Sequence, residues 1–352
     1  MKDDTKRAIK VALSTLKKKY GDDCFIDTEN MPVMPAISSG SLLLDKSIGI
    51  GGLPEGRVVE IYGGESSGKT SLITIIGAAA QAKYPDSYVG IVDIEHAFNP
   101  PYAASLGLNT EDMLFTQPSS AEEALDTMLS LISSGACSVV VLDSIGGLQT
   151  KQQLEKGIGE ATMSEVARIM SQSLPKIVKA AKRTNTLVIF INQIRATMAM
   201  YGKPETTMGG NALKFFASVR LEIKKIDVLM NGDVPVGQRV RIKIIKNKVG
   251  TPFGIVEADL FFGVGFNQKS EIVDLAIQSE FVRQGGAWFF LEDGDDELKF
   301  QGKAKLLEYI NSDESVFEAL KEKVFGVQNE VNDKPSSTNE LDEQLEKVSS
   351  EK

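Results

Sequence analysis

The sequence predicts an α/β fold with a mostly parallel central sheet flanked by helices. Three observations carry this expectation. Apolar, β-branched runs such as RVVEIYG (57–63), SVVVLD (138–143) and TLVIFIN (186–192) recur along the chain. They are short and nearly continuous, as strands covered on both faces are, and helical patterns of about 10–15 residues separate them. A glycine-rich stretch, GGESSGKT (63–70), joins one such run to one such helix.

In chain order, residues 1–20 carry seven Lys or Arg against two Asp. Ala8, Ile9, Val11, Ala12, Leu13 and Leu16 recur at helical spacing, so a short amphipathic helix is expected, ended by Gly21. Residues 22–36 contain Pro32 and Pro35 and read as a linker. On composition alone this basic helix is either a solvated surface helix or an arm that docks on another subunit. From residue 37 strands and helices alternate: strand 57–63, helix 71–82, strands 87–95 and 113–117, helix 121–135, strand 138–143, helix 164–183 and strand 186–192. After residue 215 SVRLEIKKI, RVRIKIIKNK and GIVEADLFF run as strands without intervening helices, extending the sheet in antiparallel fashion. Residues 270–326 form a smaller mixed unit: a helix in EIVDLAIQSEFV, a hairpin around Asp293-Gly294, and helices in KAKLLEYI and SVFEALKEKVF. Seven acids against three Lys and few apolar residues make 328–352 a disordered tail. The expected organisation is 1–36 (helix and linker), 37–269 (core), 270–327 (small α+β domain) and 328–352 (acidic tail).

The chain has 352 residues, 42% hydrophobic and 25% charged, with a net charge of −9. That field does not draw the protein to nucleic acid or anionic membrane unassisted. Two cysteines, Cys24 and Cys137, and one histidine, His96, cannot build a four-ligand zinc site. Cys137 reads as a buried thiol. No apolar run reaches the ~18 residues of a membrane span, and MKDDTKRAIK does not open a signal peptide. The expectation is a cytoplasmic protein.

GGESSGKT matches G-x-x-x-x-G-K-[ST] between a strand and a helix, the context a phosphate-binding loop requires. Gly63 and Gly68 permit a tight turn with backbone N–H groups pointing inward, and the following helix adds its positive end. The loop comprises Gly63, Gly64, Glu65, Ser66, Ser67, Gly68, Lys69, Thr70 and Ser71. Lys69 is placed for the β- and γ-phosphates of ATP, and the Thr70 hydroxyl for Mg²⁺. Asp143, ending an apolar strand, is the second metal-holding acid. Glu95, read as the end of the strand GIVDIE, is the candidate to polarise water, with Asp93 as rival. Asn192 and Gln193 end the strand TLVIFIN. Gln193 is either a γ-phosphate contact or a strand cap.

Together these pieces resemble bacterial RecA-type recombinases over roughly residues 37–326. The strings that carry the resemblance are ISSGSLLLD, GGLPEGRVVEIYGGESSGKT, VDIEHAFNP, VVVLDSIGGL, FINQIR, PETTMGGNALKFFASVRL, KNKVGTPF and QGKAK. FINQIR with GGNALKF is more specific than the phosphate loop. The resemblance implies a P-loop NTPase core of RecA type. It also implies a DNA-dependent ATPase that forms helical filaments on single-stranded DNA. Such a protein exchanges strands with double-stranded DNA in recombination, repair and the SOS response to damage.

By that resemblance Tyr102 would stack on adenine and Phe262 would lie near the nucleotide. Lys246 and Lys248 would reach the neighbouring subunit's γ-phosphate; read alone, they are a solvated strand edge. Two loops would contact DNA, one near Glu155–Ser164 and one near Arg195–Gly209, with Gln193 sensing the γ-phosphate ahead of the second. Met163 and Met198 would wedge between bases, though methionines also fill cores. Ser171, Gly209, Gly210 and Asn211 would hold phosphates, with Arg168 and Arg195 adding charge. Lys214 and Phe215 would lie at the subunit interface, and Lys303 and Lys305 would touch duplex DNA. Loader and repressor proteins remain open as partners. Asn99 (usually Asp), Thr162 (often His), Pro175 (often basic), Phe262 (usually Tyr) and a second loop about one residue short depart from the family pattern. The alternative is a hexameric helicase-type or repair ATPase on the same core; a repair relative with an N-terminal zinc module lacks support in the cysteines.

Overall fold

The structure, a computed structural model, describes residues 2–21, 34–155, 165–196, 205–293 and 296–332. It divides into two compact units, Met1–Pro35 and Ala36–Lys352. The first holds helix α1 (Lys2–Tyr20), whose last turn places Lys17, Lys18 and Lys19 against the negative end of the helix.

The second unit begins with strand β1 (Ala36–Ile37), helix α2 (Leu42–Ile48) and strand β2 (Leu53–Pro54), β1 and β2 forming a small sheet of their own. The central elements follow: β3 (Val58–Gly63), α3 (Lys69–Lys83), β4 (Tyr88–Asp93), α4 (Pro100–Ser105), β5 (Met113–Thr116), α5 (Ala121–Ser134) and β6 (Cys137–Asp143). After a short 3-10 turn come α6 (Lys151–Glu155), α7 (Glu165–Thr184), β7 (Leu187–Ala196), β8 (Glu205–Thr207), α8 (Ala212–Phe216), β9 (Val219–Asn231), β10 (Val234–Asn247), β11 (Ile255–Phe261) and β12 (Gly265–Phe266). The large sheet runs β12-β11-β10-β9-β3-β7-β6-β4-β5, with β8 beside β7. From β5 to β9 every pairing on this path is parallel, while β10, β11 and β12 add antiparallel strands at the other edge.

The apolar runs are continuous because each strand serves two cores. Val59, Ile61, Val139, Val141, Leu187, Ile189 and Ile191 face α3. Val58, Val140, Leu142, Val188 and Phe190 face α5 and α7. The period of two along each strand therefore distributes one sequence run between two layers of helix. Cys137 opens β6, and burial pushes its thiol up to about 11, which leaves it unreactive.

The chain closes with α9 (Gln268–Gln278), the sheet β13 (Val282–Gly285), β14 (Trp288–Asp293) and β15 (Asp296–Gln301), then α10 (Lys303–Ser312) and α11 (Glu314–Asn332) around a third apolar cluster. Several sequence boundaries shift, and β9 and β10 each run about five residues further towards their shared turn than their apolar strings predict. The strand expected over 87–95 ends at Asp93, whose carboxylate accepts the Glu95 and Phe98 N–H groups and turns the chain away. The helix expected through Val282 stops at Gln278, where Glu280 takes a left-handed backbone (φ 62°) and β13 begins. Strand β7 runs on to Ala196 because Ile194, Arg195 and Ala196 pair with β8. Helix α11 continues to Asn332, past the expected start of the tail. No helix among the described residues is long and apolar enough to cross a membrane.

Candidate functional site

Parallel strands bring their carboxyl ends to one edge, and a ligand crevice forms outside them. Strands β3, β7, β6 and β4 are neighbours there. β3 leads into the phosphate loop, β7 carries Gln193, β6 ends at Asp143 and Glu95 follows β4. Residues separated by up to 130 positions thus converge because of strand order alone.

The loop has the backbone its glycines predicted at two places. Gly68 is left-handed (φ 93°) and directly precedes α3; a Cβ there would meet Gln238 Nε2 at 2.8 Å. A Cβ on Gly63 would lie 2.1 Å from the Ile223 carbonyl oxygen. Gly64 has open space around it. Lys69 Nζ folds back to donate to the carbonyls of Gly64 (2.7 Å) and Gly63 (3.3 Å). Ser67 is buried in the loop, and its Oγ has no hydrogen-bond partner among the described residues. A buried hydroxyl without a partner costs about 1–3 kcal/mol and marks a place where a ligand oxygen completes the bonding.

Thr70 Oγ1 donates to Asp143 Oδ2 at 3.2 Å, so the two expected metal-holding groups meet. Burial raises the Asp143 carboxyl to about 6, and the nearby Glu95 charge adds to the rise. Burial lowers the Lys69 amine while the charges of Asp143, Glu95 and Glu65 oppose the fall. The Asp143 carboxylate beside the Thr70 hydroxyl fits a divalent cation that takes its other oxygens from phosphate and water, which would return Asp143 to its charged form.

Glu95 is exposed and its Oε1 accepts two hydrogen bonds, from Ser144 Oγ and from Gln193 Nε2 (2.5 Å). The water-polarising candidate and the phosphate-sensing candidate therefore touch. Asp93 spends its oxygens on Glu95 N, Phe98 N and Gln117 Nε2, which removes it as a base. Ser144 is not among the residues the sequence motifs single out, and its place directly after Asp143 is the one signal for it. Tyr102 lies on α4 with its hydroxyl 3.3 Å from Ser71 Oγ, and Phe262 is half exposed. Asn99 caps α4, its Oδ1 accepting Tyr102 N at 3.0 Å.

Lys246 and Lys248 sit at the end of β10. Lys246 Nζ donates to the carbonyls of Lys214 (2.7 Å) and Phe215 (2.9 Å), and Lys248 Nζ to Phe215 (3.4 Å). Phe215 is 73% exposed. Arg168 and Ser171 lie exposed on α7, although Ser171 Oγ donates to the Ala167 carbonyl. Pro175 lies within the same helix. Gly209 and Gly210 are both left-handed (φ 79° and 80°) and press against Ile145 and Ala167, ahead of Asn211 at the start of α8. Arg195 lies in β7, whereas Met163, Met198 and Thr162 lie outside the described residues. Lys303 Nζ is bonded to Asp274 (2.6 Å), and Lys305 is exposed.

A parallel sheet whose central strand leads through this loop into a helix, with a carboxylate on the next-but-one strand, defines a phosphate-loop nucleoside triphosphatase. Comparison with known proteins narrows the class. A family model described as the RecA N-terminal domain matches residues 7–267. Protein RecA of Dichelobacter nodosus is 42% identical over 328 residues, 92% of each chain. Protein RecA of Azospirillum lipoferum is 41% identical over 343 residues, 96% of this chain and 94% of that one. Protein RecA of Colwellia psychrerythraea is 43% identical over 315 residues, 88% and 90% of the two chains. The chain belongs to the RecA family. It is accordingly a DNA-dependent ATPase of homologous recombination and repair that forms filaments on DNA and exchanges strands.

Proposed function

We propose that this chain binds Mg²⁺-ATP at the loop Gly63–Thr70 and completes its catalytic site only between adjacent subunits. The observation that carries the reading is the meeting of Thr70 with Asp143 beside a loop whose Ser67 hydroxyl is buried and, among the described residues, unpartnered. Backbone N–H groups of the loop and Lys69 would hold the phosphates, with Tyr102 and Phe262 flanking the base. Thr70 and Asp143 would hold Mg²⁺, which when bound supplies charge neutralisation to the phosphates. Glu95 orients the attacking water, and Gln193 leaves Glu95 to engage the γ-phosphate. Lys246 and Lys248 release the carbonyls of α8 and serve the neighbour's site, as an arginine finger does.

DNA enters through the same switch. Gln193 lies at the root of the second loop, so ordering that loop on single-stranded DNA and binding ATP favour each other. Arg168, Ser171, Arg195, Gly209, Gly210 and Asn211 would hold phosphates, and Met163 and Met198 would lie between bases. Lys305, with Lys303 if it leaves Asp274, would meet duplex DNA.

Electron microscopy with single-stranded DNA and a slowly hydrolysed ATP analogue tests the reading. Open helical filaments are expected, and closed rings would point to a helicase-type assembly. Lys69→Ala should abolish ATP-dependent filament formation; normal filaments from that variant would refute the site.

A further inference from the structure

A carboxylate removed from water is costly unless donors satisfy its oxygens. Glu60 is such a group. It lies within β3, three residues ahead of the phosphate loop, and is fully buried. A single charged residue inside VVEIYG is the sequence signal for it, and it lies outside the set of groups that hold the nucleotide.

Its two oxygens face two parts of the molecule. Oε1 accepts Asn192 Nδ2 at 3.0 Å, and Oε2 accepts Arg220 Nε at 2.5 Å. Asn192 in turn holds the return of the second loop: Nδ2 also donates to the Met208 carbonyl (3.0 Å), and Oδ1 accepts Met208 N (3.1 Å) and Gln193 N (2.9 Å). On the other side Arg220 is the direct partner of Glu60 across β3 and β9, and its guanidinium lies 5.0 Å from the Tyr62 ring centre. Lys246 is the direct partner of Arg220 across β9 and β10. Glu60, Arg220 and Lys246 therefore form one row across three strands. The Lys246 ammonium ends on the Lys214 and Phe215 carbonyls of α8, the helix that begins right after Gly209, Gly210 and Asn211.

We propose that Glu60 is a positioning residue for ATP turnover, linking the seat of the second loop, through Asn192, to the Lys246–Lys248 pair, through Arg220. The proposal rests on the reading that these lysines serve the neighbouring subunit's site. Its physical content is a shared acceptor between two movable parts. When the second loop reorganises, Asn192 exchanges its bonds to Met208. The hydrogen bond from Asn192 to Glu60 then shifts, the carboxylate turns with it, and the Arg220 guanidinium it holds changes its distance from Lys246 and the repulsion it exerts there. The groups facing Lys246 are Lys248 just past the end of its strand, Arg220 on β9, Glu60 on β3 and the two carbonyls of α8. Burial and the two cations push the Lys246 amine down to about 8, and Glu60 opposes them.

Glu60→Gln keeps the shape and the Asn192 contact but removes the charge that holds Arg220. In full-length filaments on single-stranded DNA, DNA-stimulated ATP turnover should fall on the order of tenfold. The basic limb of its pH profile should move to lower pH, because the anion that retains the Lys246 proton is gone. Mixing Glu60→Gln with Glu95→Ala subunits should restore turnover at interfaces that pair an intact Glu95 with an intact lysine pair. Lys248→Ala mixed with Glu95→Ala is the reference. No rescue in the reference mixture overturns the reading of lysines acting across the interface. Rescue there without rescue for Glu60→Gln, or parent-like turnover and pH limb in Glu60→Gln, overturns the role of Glu60. Arg220→Gln breaks the same link at a position that is partly rather than fully buried, so it serves if Glu60→Gln does not fold. It must show the same loss and the same rescue, and parent-like behaviour overturns the proposal equally.

Discussion

Glu95 shows how much a single side chain's neighbours decide. Its sequence neighbour Asp93 is the same kind of group two residues away, yet Asp93 is buried and occupied by two backbone N–H groups and Gln117. Glu95 is open to water and held by Ser144 and Gln193. A side chain that orients water lowers the barrier by general-base action worth roughly 10²–10⁴ in rate. Glu95→Gln should therefore reduce DNA-stimulated ATP turnover by about that factor while nucleotide binding, followed by a fluorescent ATP analogue, is retained. Loss of binding in parallel would assign Glu95 a structural part instead. Asn99 makes the complementary case. Its departure from Asp leaves the cap of α4 intact, because Asn and Asp cap equally well and its Oδ1 still accepts Tyr102 N.

At the scale of elements, helix ends follow rules readable in advance. Ser120 caps α5, its Oγ accepting Glu123 N at 3.3 Å, while Glu123 Oε2 reaches back to Ser119 N and Oγ. The string SSAEEAL carries this arrangement openly. Ser120→Ala should lower stability by about 1 kcal/mol, read as a shift of the urea midpoint at unchanged slope. The helices and strands of the core were equally legible, since their periods of 3.6 and 2 follow from burial. Strand ends were less so. Glu95 reads as the last strand residue because GIVDIE alternates through it, and only the Asp93 turn shows that the strand has already ended. Strand β8 was invisible: ETT has no pattern of its own and is a strand only because β7 lies beside it.

At the scale of the whole molecule, helices α2 and α9, more than two hundred residues apart in sequence, are joined by a buried acid. Glu271 on α9 accepts Ser41 Oγ at 3.0 Å and Leu42 N at 2.6 Å, so it sits on the first turn of α2. Burial raises its carboxyl to about 7, with the Asp45 charge contributing in the same direction. Asp45 is itself raised by burial to about 6. A folded-state value above the unfolded one means the folded state binds more protons between roughly pH 4.5 and 7. Stability from this joint is accordingly greatest below that window and declines as pH rises through it, by an amount on the order of 1–3 kcal/mol. Urea unfolding at pH 5 and pH 7 should show a flatter dependence in Glu271→Gln than in the parent. An identical dependence in both would place the titration elsewhere.

The sequence by itself determined the local chemistry: a phosphate loop between a strand and a helix, an acid at the end of a buried strand, and alternating elements that pack as a covered parallel sheet. These are determined locally because turn geometry, helix capping and burial period act over a few residues. Only the tertiary structure decided which strand ends become neighbours. Strand order places Glu95, Asp143, Ser144 and Gln193 around one loop, and register sets Glu60, Arg220 and Lys246 in one row. The physical reason is that pairing between distant strands is chosen by the fit of whole faces and crossovers, and no single strand carries the identity of its neighbour.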